Sequence, residues 1–131
     1  MMAKKEFTFK GKTMEELSKM PITEFAELCD SRSRRSLKKG FDKHIIKKIV
    51  KAKSNEKAKP IRTHSRDLIV IPEMVGVRFA VYRGNSFELL DITEQMLGHY
   101  LGEFVFTRKR LQHGKAGIGA TKSSTAITAR G

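Results

Sequence analysis

The sequence predicts an α+β protein: a small compact domain with a short, mostly antiparallel sheet, an amphipathic helix, an N-terminal helical extension and an extended basic C-terminal tail. Three observations support that class. Apolar residues recur at helical spacing along residues 41–53. They alternate with polar ones before a Gly84-Asn85 pair. Beyond Thr107 the chain is mostly Gly, Ala, Ser, Thr and basic residues. A length of 131 residues suits one domain and is cramped for two. Hydrophobic residues make up 39%, below the ordinary globular share, which leaves room for polar arms. The expected boundaries are an extension over 1–30, a core with a basic arm over 31–107 and a Gly-rich basic tail over 108–131.

Thr13-Met14-Glu15-Glu16 has the form of a capping box and predicts a short helix through Lys19. Pro21 suits a first helical position, and Ile22, Phe25, Ala26 and Cys29 recur at helical spacing, so a second helix is expected over 21–29. Cys29 reads as a small packed residue, because a lone cysteine forms no intrachain disulfide. Residues 31–40 have almost no apolar content and end in Gly40, which reads as a loop or short turn. Residues 41–53 give the best helix, with Phe41, Ile45, Ile46, Ile49 and Val50 on one face and Lys43, Lys47 and Lys51 on another. Like charges at that spacing repel, and a facing polyanion would remove the cost. Pro60 marks an extended segment after the helix.

Leu68-Ile69-Val70-Ile71, closed by Pro72, reads as a buried strand. Val77, Phe79 and Val81 alternate with Arg78, Ala80 and Tyr82, the period of a half-buried strand. Gly84-Asn85 signals a hairpin turn, and residues 87–91 supply the return strand, with Phe87 and Leu89 on one face. Thr93 is placed to cap a short helix holding Met96 and Leu97, ended by Gly98. The tail after Thr107 is expected to be extended and to order on a partner.

Charge is segregated along this chain. The net charge is +13, yet residues 31–66 hold 14 basic against 2 acidic side chains, and residues 67–104 hold 2 against 6. A pI near 10.1 and this clustering point to a polyanion, above all nucleic acid. The absence of a long apolar run argues against a membrane partner, and a start without an apolar stretch fits a cytoplasmic protein. His44, His64, His99 and His113 lack metal-ligand spacing, and no cysteine cluster supports them, so neither a metal nor another cofactor is expected. Residues 114–123 fail the phosphate-loop pattern, since Thr121 stands before Lys122-Ser123 and no strand leads in. Without Trp, and with Phe residues wanted by the core, a stacking platform is disfavoured, and charge-led binding to a folded RNA backbone fits best.

Arg34-Arg35-Ser36-Leu37-Lys38-Lys39-Gly40 before the amphipathic helix resembles the opening of the small-subunit ribosomal protein S-nineteen family. Pro60-Ile61-Arg62-Thr63-His64-Ser65-Arg66, Ile71-Pro72-Glu73-Met74-Val75-Gly76, Val81-Tyr82-Arg83-Gly84-Asn85 and Gly98-His99-Tyr100-Leu101-Gly102-Glu103-Phe104 resemble its later segments, in the family order. The extension over 1–30 and the tail over 117–124 are similar to the archaeal and eukaryotic branch. His64 stands where the bacterial form often carries an aromatic. The resemblance implies a structural, non-enzymatic constituent of the small ribosomal subunit. It implies binding to small-subunit rRNA in the head, near the decoding site and the large-subunit contact. It further implies an S-thirteen family neighbour and a tail that reaches tRNA.

The expected rRNA contacts follow the charge. Arg32, Arg34, Arg35, Lys38 and Lys39 form a backbone clamp, and Lys43, Lys47 and Lys51 a helix stripe. Arg62, His64 and Arg66 place the segment entering the sheet, and Arg83 with Gly84 allows close approach at the turn. His99, Arg108, Arg110 and His113 mark the exit side, and Lys115 and Lys122 the tail contact with RNA or tRNA. Two competing readings are a chromatin-like DNA binder and a small RNA-acting enzyme using His99 or His113. No acid/base pair visible in the sequence supports the enzyme. Duplex DNA competing against structured rRNA separates the first from the ribosomal reading. The clamp expectation predicts that Arg34→Ala with Arg35→Ala flattens the salt dependence of RNA binding, each phosphate contact contributing a log–log slope of about −0.7 to −0.9. An unchanged slope removes the clamp.

Overall fold

A computed structural model describes residues 5–114. The chain opens with a small hairpin, β1 (Thr8–Phe9) and β2 (Lys12–Thr13), turned by Lys10 and Gly11 at positive φ. Sequence periodicity gave no sign of it, because two-residue strands are shorter than any repeat. α1 (Met14–Lys19) follows as expected, with the Thr13 N–H donating to Glu16 Oε2 at 3.1 Å in the capping box. α2 spans Ile22–Leu28, and Pro21 sits at its N-cap, one position earlier than expected.

Residues 31–40 are not a loop. Ser31–Lys38 form α3, which buries Ser33 and Leu37, one turn apart, against the core. Two inward residues are too few to register as a period, and Arg and Lys are good helix formers when their charges find an outlet. α4 spans Lys43–Lys53, with the Asp42 carboxylate accepting from the His44 N–H at 2.9 Å as its N-cap. Phe41 precedes the helix and packs on the core from outside it. Ile45 and Ile49 are buried, but Val50, expected on the same face, is 62% exposed. The helix offers only a narrow edge to the core, and Val50 falls beyond it.

The central sheet has the order β3–β4–β5: β3 (Ile61–Thr63) runs parallel to β4 (Arg78–Tyr82), and β5 (Phe87–Asp91) pairs antiparallel with β4. With the first hairpin this makes, among the described residues, an α+β fold of four α-helices and two small, mostly antiparallel sheets. Phe79 and Val81 face the core as expected, and Ala80, expected on the polar face, is buried too. Phe87 and Leu89 share a face, but it is the outer one. Leu89 is 61% exposed, and Leu90, paired with Phe79, packs inward. Ile69–Ile71 is buried, and Leu68 partly so, without forming a ladder strand. It joins residues 98–101 through a single Ile69–Tyr100 bridge, with the Val70 N–H donating to the His99 carbonyl at 2.8 Å and the Leu101 N–H to that of Leu68 at 2.9 Å. Pro72 ends one side, and single-turn 3₁₀ helices at Glu94–Met96 and Leu101–Glu103 shorten the other. The helix after Thr93 is therefore one 3₁₀ turn.

One core joins these parts. Leu17, Phe25, Ala26 and Cys29 from the first helices lie in the same buried cluster as Val70, Ile71, Phe79, Leu101 and Val105. The Phe9 ring packs on Phe25 at 5.6 Å and lies over Gly98, where an added Cβ would stand 3.2 Å from Cζ of Phe9.

Arg66 ties the outer shell together. Its Nη1 donates to the Tyr82 carbonyl at 2.8 Å, and Nη2 donates to the carbonyls of Gly102, at 2.9 Å, and Val105. Gly102 returns a hydrogen bond from its N–H to the Arg66 carbonyl at 2.9 Å, and a Cβ there would lie 3.0 Å from that same oxygen. Arg66→Ala strands three carbonyls and is expected to cost about 2–3 kcal/mol in urea unfolding. A change below about 0.5 kcal/mol would contradict the latch. Burial pushes the Cys29 thiol up to about 11. At pH 8 its labelling by a disulfide reagent is expected to run at least about a hundredfold slower in the folded protein than in urea.

Candidate nucleic-acid interface

α3 and α4 turn their apolar edges inward and their cations outward. On α4, Lys43, Lys47, Lys48 and Lys51 are exposed, and none has a carboxylate within ion-pair distance among the described residues. Arg35 and Lys39, at the end of α3, are exposed and equally without an acidic partner there. Ser31, Arg34, Arg35, Lys38 and Lys39 line an open depression of about 390 Å³. Stacked cations without counter-charge repel one another, and a phosphate backbone relieves that repulsion.

The neighbouring arginines are engaged differently. Arg34 reaches back to the C-terminus of α2: Nε donates to the Ala26 carbonyl at 3.4 Å, and Nη2 to those of Glu27 and Cys29, both at 3.2 Å. A guanidinium there satisfies carbonyls that the helix leaves open and meets the negative end of its dipole. Lys38 Nζ pairs with Glu27 at 2.8 Å, which holds the Glu27 carboxyl below its usual range. Arg32 lies over the Tyr100 ring at 5.0 Å. Of the five clamp residues, three thus contact the protein itself.

The segment entering the sheet forms a second cluster on the outer sheet face. The His64 ring lies 4.5 Å from Tyr82 and 5.1 Å from Phe87, and the Arg62 guanidinium sits 5.5 Å over Phe87. Arg62 and His64 are therefore joined by aromatic packing that sequence reasoning missed. Its signal was the shared parity of positions 62, 80 and 82, which register brings to one face. Arg66 is not part of this cluster, being spent on the three carbonyls. Gly84 makes the turn at φ +109°, and Arg83 beside it is half-buried, 3.8 Å from Glu88. Below the turn, Arg78 and Asp91 form a bidentate cross-strand pair at 2.6 and 3.2 Å that lowers the Asp91 pKa.

His99 Nδ1 lies 2.6 Å from Glu103 Oε2, with the ring against the edge of Phe104. Arg108, Arg110 and His113 are exposed on the coil that leaves the core at Val105. Lys115 and Lys122 lie outside the described residues. No three His, Cys, Asp or Glu side chains gather into a metal-binding group among the described residues, and no helix there is long and apolar enough to cross a membrane.

A small α+β body that uses some guanidinium groups as internal ties and leaves unpaired cations outward on α3 and α4 has the surface of a polyanion-binding protein. A sequence model of the family "Ribosomal protein S19" matches residues 35–113, and the chain belongs to that family. The family is a structural ribosomal component, and the chain is not an enzyme. The chain is similar to the curated small ribosomal subunit protein uS19 of Metallosphaera sedula, 45% identical over 97% of this chain and 94% of that protein. It is also similar to the proteins of the same name from Halorubrum lacusprofundi, 47% identical over 92% and 88%, and Saccharolobus solfataricus, 43% identical over 97% and 94%.

The geometry separates two arginines that adjoin in sequence. Arg34→Ala is expected to lower stability by about 1–2 kcal/mol through the lost α2 cap. Arg35→Ala is expected to leave stability within about 0.5 kcal/mol, as for an exposed side chain. Urea unfolding of the two variants checks the contrast, and equal losses would deny the capping role.

Proposed function

We propose that this chain is a structural constituent of the small ribosomal subunit in the cytoplasm and binds small-subunit rRNA through its cationic helices. The observation that carries the reading is the row of exposed, unpaired cations, Arg35 and Lys39 after α3 and Lys43, Lys47, Lys48 and Lys51 along α4. In this proposal these groups grip phosphates. Arg32, Arg34 and Lys38 act mainly by holding the helix that presents this surface, and Arg66 by holding the outgoing chain. Arg62 and His64 meet RNA from the outer sheet face, and Arg83 with Gly84 at the turn. His99, Arg108, Arg110 and His113 line the exit. The 31–107 unit carries the rRNA contacts, the 1–30 extension builds onto its core, and the 108–131 tail, through Lys115 and Lys122, reaches tRNA.

The finer placement follows the family resemblance: the head of the subunit, near the decoding site and the large-subunit contact, beside a protein of the S-thirteen family. The names of the curated relatives support the small-subunit assignment.

The test combines RNA titrations with salt. Arg35→Ala with Lys39→Ala is expected to weaken binding to a structured rRNA fragment and reduce the log–log salt slope by about 1.5. Arg34→Ala alone is expected to change the slope little. An unaltered slope in the double variant would overturn the assignment. Displacement by duplex DNA as effective as by rRNA would move the reading to a DNA-binding protein.

A further inference from the structure

One large groove lies apart from the cationic helices. It is about 1000 Å³ in volume and runs between the N-terminal hairpin with α1 and the loops at Val75–Gly76 and Ile92–Gln95. Phe7, Met14, Val75 and Ile92 supply its apolar lining, all of them part of the core or packed against it. Glu6, Glu15 and Glu94 stand around it, each exposed and from a different segment. None of the three forms an ion pair among the described residues. Lys5 is the one cation among the lining residues.

The sign of this surface is opposite to that of the molecule. A chain with net charge +13 gathers three carboxylates against one lysine around an apolar floor. A phosphate backbone is repelled there, and a partner with cationic and apolar side chains is matched on both counts. The groove is open and far larger than one side chain fills, so its occupant is a stretch of chain. We infer that the groove is a docking surface for a lysine- or arginine-rich segment of another protein that also carries apolar residues. The inference is independent of the rRNA reading, because the groove discriminates against polyanions whatever the cationic helices bind.

The test uses a short labelled peptide of alternating Lys and Leu, a Glu-Leu peptide of equal length and a labelled RNA hairpin. Each is titrated against the full chain by fluorescence anisotropy. The Lys-Leu peptide is expected to bind at the groove, whereas any binding of the Glu-Leu peptide falls to the exposed cations of α3 and α4 and is expected not to weaken in the groove variant. Glu6→Lys with Glu94→Lys reverses two exposed rim charges and is expected to weaken the Lys-Leu peptide about tenfold, with added salt narrowing the difference. RNA affinity is expected to hold or rise in that variant, and a circular dichroism melt checks that the fold is kept. Absent Lys-Leu binding, or equal Lys-Leu binding to wild type and the charge-reversed variant, overturns the inference. A loss of RNA affinity in the charge-reversed variant would show instead that RNA occupies the groove. Failure of the hairpin to bind wild type would count against the rRNA reading alone.

Discussion

The guanidinium of Arg66 is the tie on which the shape of the outer shell depends. Three carbonyls from two distant stretches, Tyr82 at the end of β4 and Gly102 and Val105 at the chain's exit, converge on one side chain. Each is a strong acceptor that a partly buried position would otherwise leave wanting. A planar fork with five N–H donors serves them together, which a lysine ammonium on its flexible stem does not match in geometry. The latch fixes where the outgoing chain departs relative to the sheet, and hence where Arg108, Arg110 and His113 stand. Gly102 belongs to the same device, because a Cβ there would crowd the Arg66 carbonyl and side chain at 3.0–3.3 Å.

Arg34 repeats the principle at the C-terminus of α2, which it closes, and so sets how α3 leaves that helix. The basic surface is therefore layered. Arginines whose forks fit carbonyls hold the scaffold, and lysines together with Arg35 face solvent. The charge of +12 over residues 31–66 overstates what is available to a ligand, since part of it is consumed within the fold.

Much of this was legible in the sequence where a pattern had room to repeat. The lysine stripe and the Ile45–Ile49 edge of α4 show over three turns, and the hairpin around Gly84 is announced by alternation and turn chemistry. Where an element has only two inward residues, as α3 does with Ser33 and Leu37, composition points to a loop and tertiary contact overrules it. Leu68–Ile71 misleads for the opposite reason: its burial is real, but strand status depends on a partner that 3₁₀ turns cut short. The difference between Arg34 and Arg35 lies in which way each projects from α3, and no linear reading of adjacent arginines contains it. The aromatic packing of His64 on Tyr82 and Phe87 depended on the parallel register of β3, which a pattern read one segment at a time does not supply.

The docking of Phe9 over Gly98, and of α1 and α2 into the cluster holding Leu101 and Val105, has a bearing on how the protein is made. Synthesis proceeds from the N-terminus, so Leu17, Phe25 and Ala26 emerge long before their packing partners. The core closes only after Val105 has been added, when four-fifths of the chain already exists. Until then the nascent chain displays an apolar helical pair followed by a dense cationic stretch, a combination that invites premature association. The hairpin and capping box at the front rest on local contacts, but strands of two residues and a helix of six need the closed core to hold them.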